Sequence, residues 1–442
     1  MRKMKDCDFQ WIGQIPEDWM MTKVKFVADF YNGDRGKNYP SGDDLVDDGI
    51  VFLTSNNIHS TVLDTNPEIT KYITPERYKL LGGAKIKKGD LVFCLRGSVG
   101  LCSINESEDE GTVASSLTVL RPKNINNHFL NFILNSKIAE IQTKKFENGS
   151  CAANLSAENV GTYIIPFPPL AEQQKIADFL DEKCGEIDSI RSDVQREIEI
   201  LNDYKKSVIT EAVTKGLDPK AKLKGSGIEW IGKIPEGWNV KKLKFYFNFG
   251  KGLPITKENL QDTGVPVISY GQIHSKQNSG TAINDTLIRF VNESYLRTNP
   301  SSLVHQNDFI FADTSEDLDG CGNCVYVDTK EPLFAGYHAI IFRSLQPNAK
   351  YFAYLFLTDC WRSQIRKVAS GVKLYSITQK ILKETSVIIP PLSEQKAIAD
   401  YLDEKCSAID ATIADKQKQL ETLDEYKKSL IFEYVTGKKE VS

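Results

Sequence analysis

Few side chains in this sequence are spaced for covalent or metal chemistry. Cys321 and Cys324 share a CGNC segment, the spacing of a metal or redox pair. A structural zinc site takes four ligands, and no second CxxC or HxxxH stands nearby, so two thiols on a turn and no metal are expected. His59 and His274 fall in matching IHS segments, yet a histidine at a strand end is more often a satisfied polar group than a catalyst. The glycines of NGDRGKNY and FGKGLP lack the context of a dinucleotide fingerprint and read as turns. The sequence has no phosphate loop, GxSxG elbow, HExxH motif or Asn/Asp-Pro-Pro-aromatic signature of an amino-methyltransferase. No catalytic residue and no cofactor are therefore expected for this chain.

Side chains suited to a polyanion are better represented. LRGSVG (95–100) offers Arg96 and Ser98, and TKKFENGSCAANLS (143–156) offers Lys144, Lys145 and Asn154. RKVASGVKLYSIT (366–378) aligns with the second of these and offers Arg366, Lys367, Lys373 and Tyr375. Arginine can read guanine through two parallel hydrogen bonds, whereas lysine mainly positions phosphate. These nine residues are the candidate DNA contacts.

The elements that would position them are written twice. WIGQIPEDW (11–19) returns as WIGKIPEGW (230–238), and PPLAEQQKIADFLDEKCGEID (168–188) returns as PPLSEQKAIADYLDEKCSAID (390–410). Residues 168–214 match 390–436 at 27 of 47 positions. The period is far longer than that of a solenoid and indicates duplication of a whole domain with its appendage. Between the repeated motifs, residues 27–167 and 246–389 share only scattered positions, among them Asp90 with Asp308, Phe93 with Phe311 and Arg121 with Arg343. Trp11, Trp19, Trp230 and Trp238 read as packing anchors.

Leu180, Ile187, Val194, Leu201 and Val208 recur every seven residues, with Ile176, Ile190 and Ile198 beside them, and this spacing predicts a coiled-coil seam. The second copy keeps Leu402, Ile409, Leu423 and Leu430 but places Lys416 where the first has Val194, a polar seam position suited to fixing register. Helices of about 45 residues would be roughly 65 Å long. A single apolar stripe is unstable in water, so the two helices are expected to pair. Antiparallel pairing spares the second variable region from bridging the whole rod, and it sets the two variable regions at opposite ends with approximate two-fold symmetry.

Short apolar runs bounded by turn residues (GIVFLTS, GDLVFCL, SLTVLRP; GVPVISY, NDFIFAD, HAIIFRS) predict strands, and 128–144 and 350–367 each predict a helical run. The expected fold class is α+β: two globular domains, 1–167 and 216–389, with long antiparallel helices at 168–215 and 390–442. At 442 residues, 41% hydrophobic and 26% charged, the chain has the composition of a multidomain globular protein. No apolar run nears the roughly 18 residues of a membrane span, and the start lacks a signal-peptide core, so a cytoplasmic location is expected. Nine unpatterned cysteines fit reduced thiols. The net charge of −4 is unevenly spread, with the helices acidic and residues 216–389 basic.

The order of these motifs resembles the specificity subunit of type I restriction-modification systems, often called HsdS, over essentially the whole chain. The resemblance implies that each variable region is a target recognition domain reading one half of a split double-stranded DNA site. It implies that the paired helices set the spacing and dock two methyltransferase subunits, and that nuclease-translocase subunits complete the assembly. Adenine-N6 methylation with S-adenosylmethionine and ATP-dependent cleavage would belong to those partners. The other expectation is a coiled-coil scaffold whose globular ends bind proteins.

Overall fold

Two proline pairs open the two longest helices. In this computed structural model, which describes residues 2–59, 61–146, 155–371 and 373–441, helix α1 (Leu170–Lys215) follows Pro168-Pro169 and helix α2 (Leu392–Val435) follows Pro390-Pro391. Proline supplies no N–H and pre-sets its own φ, so it suits the entry of a helix, where the first donors have no partner in any case. A glutamine in each entry closes the turn: Gln173 Nε2 donates to Pro168 O at 2.7 Å, and Gln395 Nε2 to Pro390 O at 2.9 Å. Gly216, at φ +77°, ends α1, and Gly437, at φ +68°, stands just beyond α2.

The chain divides into two compact units, Met1–Gln195 with Gln417–Ser442, and Arg196–Lys416. In the first unit, the beginning of α1 packs with the end of α2: Leu180, Cys184 and Ile187 share a core with Leu430, Ile431 and Val435. Arg191 pairs with Asp424 at 2.7 Å, and Lys427 with Asp188 at 2.7 Å. In the second unit, the end of α1 packs with the beginning of α2: Ile209, Ala212 and Val213 share a core with Ile398, Leu402 and Cys406. Lys205 pairs with Asp410 at 2.6 Å, and Lys416 with Glu197. Rising numbers on one helix meet falling numbers on the other, so the helices run antiparallel.

Of the seam side chains, Leu180, Ile187, Val194, Leu402, Ile409 and Leu430 are buried, and Leu201 and Leu423 are half-buried. Ile190, read from the sequence as a neighbour of the seam, is half exposed instead. It lies only three residues from Ile187 and four from Val194, and the stripe that stays covered is narrower than the sequence spacing suggested.

Each unit carries the same four-stranded antiparallel sheet. In the first, the strand order is Ala28–Asn32, Leu117–Pro122, Leu91–Cys94, Cys102–Ile104; in the second it is Phe247–Lys251, Ala339–Ser344, Phe309–Ala312, Cys324–Tyr326. A second, mixed four-stranded sheet accompanies it in both, joined by one parallel pairing: Gly111–Val113 beside Ile50–Leu53, and Leu333–Ala335 beside Val265–Ile268. All six apolar runs therefore form strands. The matched residues Asp90 and Arg121 form a two-point ion pair at 2.9 and 2.7 Å, whereas Asp308 and Arg343 sit 3.4 Å apart. Burial pushes the Asp308 carboxyl above its ordinary pKa more than the guanidinium pulls it down.

Each predicted helical run is broken into two helices, Asn127–Leu134 with Lys137–Lys144, and Lys350–Phe356 with Asp359–Arg366. The break in the first is made by polar side chains that serve the backbone. Ser136 caps the second helix through Ile138 N, and Asn135 bonds Cys102 on the neighbouring strand in both directions. The fold class is α+β, with an internal repeat and two long antiparallel helices. No helix among the described residues is long and apolar enough to cross a membrane.

Candidate nucleic-acid interface

In both units one loop leaves the equivalent strand, a second follows a short helix, and the same backbone hydrogen bond ties the two together. In the first unit, the strand Leu91–Cys94 runs into the loop 95–101. Leu95 and Arg96 donate their backbone N–H groups to Ser116 O at 2.8 and 3.2 Å, and Gly100 N donates to Cys94 O at 3.0 Å. Gly97 and Gly100, at φ +82° and +92°, let the loop turn back on itself. Leu155 N then donates to Leu95 O at 3.1 Å, bringing the end of the second candidate loop against the first. Arg96 and Ser98 are exposed.

Lys144 and Lys145 close the helix Lys137–Lys144. Lys144 pairs with Glu140 at 2.5 Å, and Lys145 Nζ lies 3.6 Å from the ring centre of Trp11. Asn154 lies outside the described residues.

In the second unit, Phe309–Ala312 runs into a loop that reaches Asn323 and is four residues longer. Asp313 N donates to His338 O at 3.2 Å, and Ile377 N donates to Asp313 O at 2.7 Å. These are the counterparts of the Leu95–Ser116 and Leu155–Leu95 bonds. Thr314–Ser315 also pairs antiparallel with Tyr375–Ser376, which places half-buried Tyr375 in the loop pair, with exposed Lys373 two residues before it. Arg366 is held to the longer loop by Leu318 O at 3.1 Å and an ion pair to Asp319 at 3.7 Å, and it pairs with Asp359 at the start of its own helix at 2.8 Å. Lys367 lies over Trp230 at 5.4 Å.

The structure thus brings the loop that carries Arg96 and Ser98 against Leu155 in one unit, and Arg366 and Tyr375 against the loop that follows Phe309–Ala312 in the other. It also places Lys145 and Lys367 on the outer tryptophans of the two nine-residue motifs. The inner tryptophans, Trp19 and Trp238, are buried.

Two histidines border the second loop pair, His274, expected from the sequence to be a satisfied polar group, and His338, which the sequence did not single out. His338, at φ +52°, contacts Asp313 at 3.1 Å, and His274 reaches Thr314 O at 2.9 Å and Asn323 at 3.2 Å. The other matched histidine, His59, pairs with Asp64 at 3.0 Å. His338 carried no sequence signal, because a left-handed residue at a strand entry is a property of backbone geometry. Cys321 and Cys324 are buried, and burial pushes the Cys324 thiol up to about 12. Among the described residues no group of three or more metal-ligating side chains is gathered.

The family described as type I restriction modification DNA specificity domain matches this chain twice, at residues 16–199 and 235–422. The chain is 24% identical over 431 residues to the type I restriction enzyme MjaVIII specificity subunit of Methanocaldococcus jannaschii, covering 96% of this chain and 94% of that one. It is 24% identical over 408 residues to the type I restriction enzyme EcoKI specificity subunit of Escherichia coli K12, covering 89% and 83%. A chain from a solved type I R-M system aligns with a TM-score of 0.70 at 15% identity, over 96% of this chain and 99% of that chain, and shares its fold.

Proposed function

We propose, from the premise that this chain belongs to the family of type I restriction-modification DNA specificity subunits, that its two variable domains read the two halves of an asymmetric double-stranded DNA target. Such a subunit is the non-catalytic member of its system. Residues 1–167 and 216–389 act as the recognition domains in this reading, and 168–215 and 390–442 act as the spacer.

The observation that carries it is the loop pair written twice. One backbone bond, Leu155 to Leu95 and Ile377 to Asp313, fixes the same two loops in each domain, while the side chains on them differ. A constant frame that presents different residues suits two different half-sites. Arg96, Ser98, Lys144, Lys145 and Asn154 serve one half, and Arg366, Lys367, Lys373 and Tyr375 the other.

Docking of two methyltransferase subunits is supported by apolar side chains that stay exposed in both copies. Tyr204 and Tyr426 are 54% and 56% exposed, and Leu170 with Leu392 and Phe26 with Phe245 are likewise exposed pairs. Exposed apolar residues kept twice fit one partner bound twice. Nuclease-translocase subunits would complete the complex, which would then methylate adenine at N6 and cut DNA with ATP in the cytoplasm.

Methylome sequencing of cells carrying this chain with its methyltransferase tests the reading. The expected motif is split and asymmetric, and exchanging residues 27–167 for those of another family member changes one half only. A continuous or palindromic motif, or a change in both halves, overturns it. Tyr204→Glu and Tyr426→Glu are each expected to lower the bound methyltransferase from two copies to one, read by light scattering.

A further inference from the structure

A cavity of about 580 Å³ in the second unit lies between α1 and the helix Asp359–Arg366. Four cationic side chains line it: Lys205 and Lys206 from α1, and Arg362 and Arg366 from the short helix. Two carboxylates, Asp319 and Asp359, line it as well, and both are engaged by Arg366. Lys205 and Lys206 are paired with Asp410 and Asp203, which stand outside the lining.

Arg362 is different. Its guanidinium donates only to neutral oxygens, Phe356 O at 2.8 Å, Asn323 Oδ1 at 2.8 Å and Asp319 O at 3.4 Å, with no carboxylate within 4 Å among the described residues. Burial works against its charge and lowers its pKa. A partly buried guanidinium that no carboxylate pairs directly, with Asp359 and Asp319 acting on it only at longer range, has donors to spare, and its planar fork matches a tetrahedral oxyanion. The cavity has the volume of a small-molecule site.

We propose that this cavity binds a phosphate group, with Arg362 as its principal ligand and Lys205 and Lys206 at its wall. The source is either a free phosphate compound or a backbone phosphate of DNA. Occupancy would join α1, the helix Asp359–Arg366 and, through the bonds of Arg362 to Asp319 O and Asn323 Oδ1, the longer loop. The site does not depend on the DNA-recognition reading if the phosphate is free, and it rests on that reading if the phosphate is a phosphodiester.

The test uses the full chain and two variants. Arg362→Gln removes the ligand, and Asn202→Glu adds a carboxylate on the exposed helix side of the cavity, where it should not disturb folding. Inorganic phosphate is titrated by calorimetry against chloride at matched ionic strength, and a labelled duplex is titrated across a salt series.

If the phosphate is free, the native chain binds inorganic phosphate and both variants bind it at least tenfold more weakly. If it is a DNA phosphate, both variants lower the salt slope of duplex binding by about one, while inorganic phosphate has no effect. Should Arg362→Gln fail to fold, Asn202→Glu decides alone. Phosphate binding and salt slope that are the same in the native chain and the variants overturn the proposal. A chain that binds no duplex at all counts against the DNA reading, and the phosphate titration then decides this site.

Discussion

The indole N–H of Trp19 donates to Glu172 at 2.9 Å, joining the last residue of the first nine-residue motif to the first turn of α1. Trp238 makes the same bond to Glu394 on α2 at 2.8 Å. The repeated opening segments are thus fixed to the entries of the long helices, which is why both ends of the duplication are alike while the residues between them vary. Trp19→Phe keeps most of the buried ring and removes the donor. A hydrogen bond to a charged group contributes about 1.5–3 kcal/mol, and urea unfolding is expected to show a loss of that order. Glu172 keeps Arg2 as a second partner, whereas the residue matching Arg2 in the repeat is Ala221. Trp238→Phe should therefore cost at least as much as Trp19→Phe, and the opposite ranking would contradict this account.

The same tryptophans also meet the far ends of the helices. A side-chain carbon built on Gly437 would come within 2.5 Å of Pro16 and 3.0 Å of Trp19, and one built on Gly216 would come within 3.1 Å of Trp238. Both glycines also occupy left-handed φ. Gly216→Ala carries chiefly the backbone cost, about 1 kcal/mol. Gly437→Ala adds a collision with the proline ring and is expected to lower the melting temperature more. Equal losses in a thermal melt would show that the Pro16 contact yields freely.

Strands and seam were legible because each is a local pattern. Runs such as Phe309–Ala312 are continuous apolar segments bounded by turn residues, and Leu180 and Ile187 recur at the heptad interval. The broken helices were not legible, since the apolar spacing of 128–144 continues across the interruption. What decides it is Asn135 bonding to Cys102 on a neighbouring strand, a tertiary contact that overrides local propensity. The meeting of the two loops through Leu155 and Leu95 is a contact across sixty residues, and no local spacing encodes it. Lys145 and Lys367, by contrast, align in the repeat, as do Trp11 and Trp230, so comparing the copies offered a signal for their stacking.

His128 carries a pH dependence within the first unit. Its ring contacts Asp181 on α1 at 2.8 Å and Glu106 at 3.1 Å. The hydrogen bond to Asp181 raises its pKa most, burial opposes this, and the charges of Asp181, Glu106 and Asp178 add to the rise. A histidine whose folded pKa is raised binds its proton more tightly in the native state. Its contribution is complete below the unfolded value of about 6.5 and is lost as pH rises through the folded value. Urea midpoints of the native chain and His128→Gln, measured from pH 5.5 to 8.5, should differ most at the acid end and converge above the folded value. A constant difference would rule out this linkage.

Lys416 stands in the seam where the first copy has Val194, and it pairs with Glu197 on α1 within the second unit. Its side chain is 22% exposed and that of Glu197 is 53% exposed, so solvent screens much of the attraction. A double-mutant cycle with Lys416→Val and Glu197→Gln is expected to give a coupling of about 0.5–1 kcal/mol. Lys416→Val alone should leave stability within about 1 kcal/mol of the native chain or raise it, because the ammonium no longer has to be desolvated and an unpaired Glu197 still reaches water. The cost of the substitution should appear as lost specificity of register. Cysteines placed at Lys205 and Asp410, which the native register brings together, would cross-link less selectively in the valine variant than in the native background. A coupling above about 2 kcal/mol, or unchanged cross-linking selectivity, would show that Lys416 holds the helices together without choosing their register.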